Sequence, residues 1–537
     1  MVAARAGRQA AADETARRGF VECNTSPSSD AMMAAVMRRA ATTARGRCAV
    51  RCSSSIPDDS SSIPSDFAID ATPPRSSWTA TGGEAPALAP GTEATTLGSG
   101  LRVVSQETFT YMSAMGLVVG AGSAHERAAL GTAGGAQLAE VCAWRGTTKR
   151  STADVLAAAE RSGAYLHANA QREQTLYCVD VLRDNAVAAG ELLAEAALLG
   201  PDLSSAEDLE AAKTSLLLAW EDAPQDARVR ELIHEAAYGR TSPLGAPLLT
   251  PPDEVAKLDA LTLANFRSTL FGPDRMVLAG AGIDHATLVG IAEAYFEPFV
   301  PPRGPPPPAA PSPYVGGGAT CEEKAPTPAG FAVDLDPPVR VAVAMRAPLG
   351  GWHGDDLIPL CVLQTLLGGG DSFSAGGPGK GMYSRLYREV LNRHYWVEGA
   401  ECFVSVHDAE GLLGIMGAAP AAYAGHLTEV LAAHLLRIGA EPVKRDELDR
   451  AKNMLKVNVL TQLESRLVLF EDLGRQYATF GKRQTLREMT DLVDAVTEED
   501  ILRIGATMLS RPPSIAAHGE DLSKVPAFDT IKQWRLK

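Results

Sequence analysis

A ten-residue segment of this chain has a similar counterpart 239 residues on, and the pair points to architectures made of two related halves. Glu207–Leu216, EDLEAAKTSL, lines up with Asp446–Leu455, DELDRAKNML, at a constant offset of 239. Both copies open with carboxylates in what reads as the first turn of a helix, where they face the positive end of the helix dipole. Helix N-termini share that chemistry, so one such match can arise by coincidence. Strand-like runs before and after each helical set, at similar distances, favour two homologous α+β lobes.

The punctuation of the chain fits two lobes. Pro301–Pro313 holds a proline run that is followed by Gly316-Gly317-Gly318, the composition of an extended linker. The expected organisation is a leader over residues 1–57, a Ser/Pro/Thr/Gly-rich spacer over 58–94, a first lobe over 95–300, a Pro/Gly linker over 301–320 and a second lobe over 321–537. Strands are expected at 101–104, 111–119, 166–170 and 175–181, and helices at 130–142 and 151–162.

Charge is unevenly placed. Residues 1–57 hold nine arginines against Asp13, Glu14, Glu22 and Asp30, about +5, which leaves about −20 for the remainder of a chain whose net charge is −15. From Ala31 to Pro57 there are arginines, serines and threonines but no acid, the composition of an organellar transit peptide. Over the whole chain acids outnumber bases 65 to 50, which argues against nucleic acid and toward a basic peptide as partner. No run of about 18 apolar residues exists to form a membrane-spanning helix.

Leu367–Tyr387, LGGGDSFSAGGPGKGMYSRLY, carries seven glycines. Each costs roughly 0.5–1 kcal/mol relative to Ala inside a regular element, so the run reads as a loop that must move or lie against another chain. Helix-like segments at 357–367 and 382–391 bound it and hold it on a scaffold. Phosphate binding is excluded twice: Gly381 follows Lys380 where a P-loop needs Ser or Thr, and Ser374 stands where its first glycine belongs.

This run, with Gly350-Gly351-Trp352-His353 before it, Arg385-Leu386-Tyr387 and Val390-Leu391-Asn392 after it, and the segments Leu463–Arg466 and Glu471–Gln476, resembles the α-subunit family of mitochondrial processing peptidase. That family is the non-catalytic branch of the pitrilysin/insulinase-like M16 peptidases, and the resemblance runs from about Leu97 to near the C-terminus. It implies two α+β lobes paired with a zinc-bearing β subunit around a cavity, and a substrate-recognising role toward the presequences of imported precursors. It also implies that the glycine loop touches substrate, which marks Gly368, Gly369, Gly370, Ser372, Phe373, Ser374, Gly376, Gly377, Gly379, Lys380, Gly381 and Met382 as substrate-binding. Phe373 and Met382 would supply apolar contact without fixing a sequence, and Lys380 would sit in solvent or meet an acid of the partner. Asp371 departs from the family pattern by interrupting the glycine run.

Active members of that superfamily carry HxxEH on a helix, with two histidines on zinc, a Glu as general base and a distal Glu as third ligand. Aligned on Ala143–Thr147, the corresponding segment is Gln137-Leu138-Ala139-Glu140-Val141. Both histidines are absent, and no carboxylate lies between Ala211 and Ala219, where the distal ligand would fall. Glu140 keeps the position of the base without a metal-bound water to activate. No metal or cofactor is therefore expected in this chain, and zinc is expected in the β partner. The eight cysteines are scattered without a CxxC pair, and body cysteines such as Cys321 read as small hydrophobes. His394 and His407 read as ordinary surface or strand residues, and no GxSxG elbow suggests a serine nucleophile.

The resemblance further implies a mitochondrial matrix location, or a peripheral one on the matrix side of the inner membrane. A core subunit of the cytochrome bc1 complex, which shares the fold, is the competing assignment. One protein can also fill both roles.

Overall fold

The computed structural model describes residues 91–201, 203, 205–299, 310–323, 338–348, 350–371 and 381–534. Its framework is two six-stranded sheets of matching topology. The first is built from β1 (Glu93–Thr96), β2 (Arg102–Gln106), β3 (Met112–Val119), β4 (Tyr165–Ala170), β5 (Thr175–Leu182) and β6 (Met276–Ala281), in the order β1-β2-β6-β3-β5-β4. The second takes β7 (Gly318–Glu322), β8 (Val339–Arg346), β9 (Gly369–Asp371), β10 (Gly399–Val406), β11 (Gly411–Ala419) and β12 (Ser514–Gly519), in the order β7-β12-β8-β11-β10-β9.

Five strands of each sheet correspond one to one. The parallel pair β2·β6 matches the parallel pair β7·β12. Each is extended by three antiparallel neighbours, β3-β5-β4 in one lobe and β8-β11-β10 in the other. Met276 and Ser514, which begin the paired strands β6 and β12, stand 238 apart, and the repeated helices run Ala206–Glu221 and Arg445–Leu463. The fold is thus the α+β pair of homologous lobes that the repeat implies. What differs is one added edge strand per sheet, at opposite ends: β1 beside β2, and β9 beside β10.

The two lobes are bound by an exchange of helices. Gln225–Tyr238 belongs to the first lobe, yet its Val229 and Ile233 pack on Ala342, Ala344, Phe403, Met416 and Ala516 of the second sheet. The helix Arg466–Phe480, which begins 241 residues after Gln225, returns the contact: Leu469, Phe470 and Leu473 cover Val104, Val118, Cys178, Val277 and Ala279 of the first sheet. Gly116 on β3 makes room for it, since a Cβ there would lie 2.5 Å from the Phe470 ring. The opposite face of each sheet is covered by helices of its own lobe. With both faces occupied, β6, β11 and β12 are buried at every residue, so they read as continuous apolar runs instead of alternating ones.

Several boundaries move. β1 starts at Glu93, inside the expected spacer, and β7 starts at Gly318, inside the expected linker, because pairing with β2 and β12 stabilises short strands that composition alone assigns to coil. The helix expected from Leu130 begins only at Gly135, since Gly131 and Gly134 adopt left-handed φ of 62° and 76°. Of the helix expected over 382–391, helical structure begins only at Arg385 and passes into a π-turn, Tyr387–Leu391, while Met382 lies in a turn. The leader and the proline run at 301–309 fall outside the described residues. Among the described residues no helix is long and apolar enough to cross a membrane.

Candidate functional site

The glycine run leaves the second sheet as a strand. After the helix Leu357–Leu367, Gly368, Gly369 and Gly370 take φ of +56°, +112° and +157°, and β9 pairs with β10 through Gly399↔Asp371, Ala400↔Gly370 and Glu401↔Gly369. A side chain at Gly369 is impossible without displacement, because its Cβ would fall 2.0 Å from the Ala400 carbonyl oxygen. The run returns at Gly381, φ +87°, and is gripped again three residues on. Ser384 Oγ accepts the Gly369 N–H at 3.2 Å, tying the two stems together. Arg385 donates Nε and Nη2 to the two carboxylate oxygens of Glu447, at 2.7 and 3.0 Å, with both side chains largely buried.

Of the expected substrate-binding residues, the structure places Gly368, Gly369, Gly370, Gly381 and Met382 at these stems. Ser372, Phe373, Ser374, Gly376, Gly377, Gly379 and Lys380 lie outside the described residues. Sequence reading passed over Tyr383, which stands 66% exposed beside the returning stem. Its neighbourhood in the glycine run was the available signal.

The segment aligned on the zinc motif is a short helix, Gly135–Val141, whose side chains have structural partners. Gln137 Oε1 accepts the Thr250 N–H at 2.7 Å in a buried contact. Val141 packs against the core of the first lobe. Glu140 Oε2 accepts the Ala170 N–H at the end of β4, 3.0 Å away, while desolvation pushes its carboxyl up to about 7 against that hydrogen bond. Glu126 caps the same helix, its two oxygens accepting the N–H groups of Gly134 and Ala136 at 2.7 and 2.8 Å. The stretch reserved for a distal ligand presents Leu217 and Leu218, 37% and 52% exposed. Gln137, Glu140 and Val141 thus each hold the first lobe together.

His407 is buried, contrary to the surface or strand role expected of it. Its Nε2 lies 3.3 Å from Nε2 of His234, on the exchanged helix Gln225–Tyr238, and desolvation drives both rings toward the neutral form, His407 down to about 3. Here the β4–β5 and β10–β11 turns meet, with the Asp408 N–H donating to Glu173 at 2.8 Å.

Comparison with known proteins agrees with this architecture. Residues 102–252 match the family described as Insulinase (Peptidase family M16), and residues 257–455 match the Peptidase M16 inactive domain. The chain is 33% identical over 453 residues to the mitochondrial-processing peptidase subunit alpha of Homo sapiens, covering 82% of this chain and 84% of that protein. It is 34% identical over 438 residues to a probable mitochondrial-processing peptidase subunit alpha-1 of Arabidopsis thaliana, covering 81% and 83%. Among solved structures, a chain of Complex III2 from Candida albicans superposes with a TM-score of 0.68 at 19% identity, covering 82% of this chain and 99% of that one.

Proposed function

The chain belongs to the mitochondrial processing peptidase α-subunit family of the M16 peptidases, and we propose that it recognises presequences for cleavage by a zinc-bearing β subunit. The observation that carries this reading is the stem of the glycine run. The run's two stems are tied together at β9, which among the described residues is the outermost strand of the second sheet, the position at which an extended peptide can add. Presequences are basic, and the chain beyond its leader carries about −20. Gln137, Glu140 and Val141 support a non-catalytic role, since each side chain holds structure and none is arranged to hold zinc. The protein works in the mitochondrial matrix, or on the matrix side of the inner membrane.

The test is cleavage of a fluorogenic presequence peptide by this chain alone, by the β subunit alone, and by the mixture with and without residues 372–380. Activity confined to the intact mixture is the expected result. Activity unchanged by the deletion overturns the recognition role. It would favour the second reading, a core subunit of the cytochrome bc1 complex, for which the fold of the Complex III2 chain speaks. That reading is tested by co-purification with cytochrome b and c1.

A further inference from the structure

β7 and β12 run parallel with Cys321 opposite His518 in register, and paired residues of neighbouring strands face the same side of a sheet. Glu323 lies two residues beyond Cys321 and is held to β12 by its N–H, which donates to the Gly519 carbonyl at 3.1 Å, so its side chain falls on that side too. The thiol, one carboxylate oxygen and one imidazole nitrogen all stand within 4.8 Å of one another. His518 is 1% exposed, and neither of its ring nitrogens has a hydrogen-bond partner; the nearest carboxylate oxygen is Glu323 Oε2, 3.6 Å from Nε2. A buried imidazole with two unsatisfied nitrogens is costly unless something else fills its donor and acceptor positions.

We propose that Cys321, Glu323 and His518 bind one divalent cation of the Zn²⁺ class. Thiolate, imidazole and carboxylate are the donor types that such an ion takes, and three of them leave a fourth tetrahedral position for water. Ligand bonds of about 2.0–2.3 Å require the donors to close up slightly, and Glu323, half exposed at the end of a strand, has the freedom to do so. Arg228 of the exchanged helix is the competing cation. Its Nη1 lies 3.1 Å from Glu323 Oε2, but the guanidinium also donates to the Trp220 carbonyl and stacks on the Trp220 ring, so it stays in place while a second carboxylate oxygen turns to the metal. A ligating carboxylate braced by an outer hydrogen-bond donor is the usual arrangement. Binding converts the Cys321 thiol to a metal-bound thiolate and releases its proton to solvent. The ion would clip edge strand β7 to β12 beneath the helix that joins the lobes, in the lobe opposite the Gln137–Val141 segment.

The experiment is titration of the full chain, stripped with a chelator, with Co²⁺ as a spectroscopic stand-in for Zn²⁺. The expected result is one equivalent bound, a near-ultraviolet thiolate-to-cobalt charge-transfer band, release of one proton, and displacement by Zn²⁺. Cys321→Ser should abolish the band and weaken Zn²⁺ binding at least tenfold, with far-UV circular dichroism unchanged because the site is partly solvent-facing. His518→Asn should weaken binding comparably while the band persists at higher cobalt. Absence of the band in the parent chain, or one equivalent bound equally well by Cys321→Ser, overturns the proposal.

Discussion

Arg466 donates Nε and Nη2 to the two carboxylate oxygens of Asp180, at 2.9 and 2.7 Å, and so fastens the first turn of a second-lobe helix to strand β5 of the first lobe. The Asp180 side chain is 12% exposed and that of Arg466 24%. Asp180→Asn should therefore cost about 1–3 kcal/mol, less than a fully buried pair because water reaches one partner. Urea unfolding of Asp180→Asn, Arg466→Met and the double variant checks it. Additive losses would show that the two residues are not coupled.

Phe470→Ala should cost about 3–5 kcal/mol, since the ring is fully buried and Gly116 cannot fill the space. Its signature is where protection is lost. Hydrogen exchange should accelerate in β3 and β6, which belong to the other lobe, before it does in β8 or β11. Uniform acceleration across both sheets would contradict the exchanged packing.

Gly369→Ala places a methyl group against the Ala400 carbonyl at a backbone conformation that L side chains avoid. β9 should detach from β10 while the remaining strands hold. The expected outcome is a melting temperature lowered by only a few degrees, with presequence cleavage by the mixture of this chain and a β subunit falling at least fivefold. Full cleavage would mean that the stem does not position the loop.

Glu140 tests the electrostatics of the helix Gly135–Val141. Its carboxyl rises from an ordinary 4.5 to about 7 in the folded chain, so folding favours the protonated form. That stabilisation is present below pH 4.5 and lost as the pH rises through 7. Glu140→Gln, which keeps an acceptor for the Ala170 N–H, should match the parent in acid and exceed it by about 1–2 kcal/mol at pH 8, discounted from the full shift because the residue is only partly buried. Denaturant titrations at pH 4 and pH 8 measure both limits.

His234 and His407 make the opposite prediction. Both rings are held neutral when folded, so the unfolded chain takes up protons first as the pH falls below about 6.5. Stability is full above that value and declines toward pH 3. His407→Asn should take up about one proton fewer on unfolding across this window, read from the slope of unfolding free energy against pH. An unchanged slope would rule out a neutral buried His407.

How much of this was written in the sequence differs by residue. The offset joining Glu207 to Asp446 is real architecture, because both copies keep a pair of acids in the first turn of the helix, although Ser205 caps one and Lys444 precedes the other. That Gln137 and Val141 are not histidines needs no structure, being residue identity alone. The exchange of helices was not legible, since the apolar stripe Leu469, Phe470, Leu473 says that a sheet is covered without saying which. β9 was hidden because Gly369 and Gly370, two of its three residues, carry no side-chain pattern for a strand. Cys321 and His518 were separated by nearly the whole second lobe and met only through strand register. His407 read as ordinary because burial at a junction depends on a helix from the other half of the chain.

The crossed helices also set an order on biogenesis. The first sheet is complete once β6 is made, yet one of its apolar faces stays open until residue 466 and those after it emerge. In any N-terminus-first delivery, from a ribosome or through a membrane, the uncovered sheet can aggregate during the interval in which the intervening residues arrive. Each lobe is therefore the other's folding cofactor, and a chain broken between them yields two sticky halves in place of two domains.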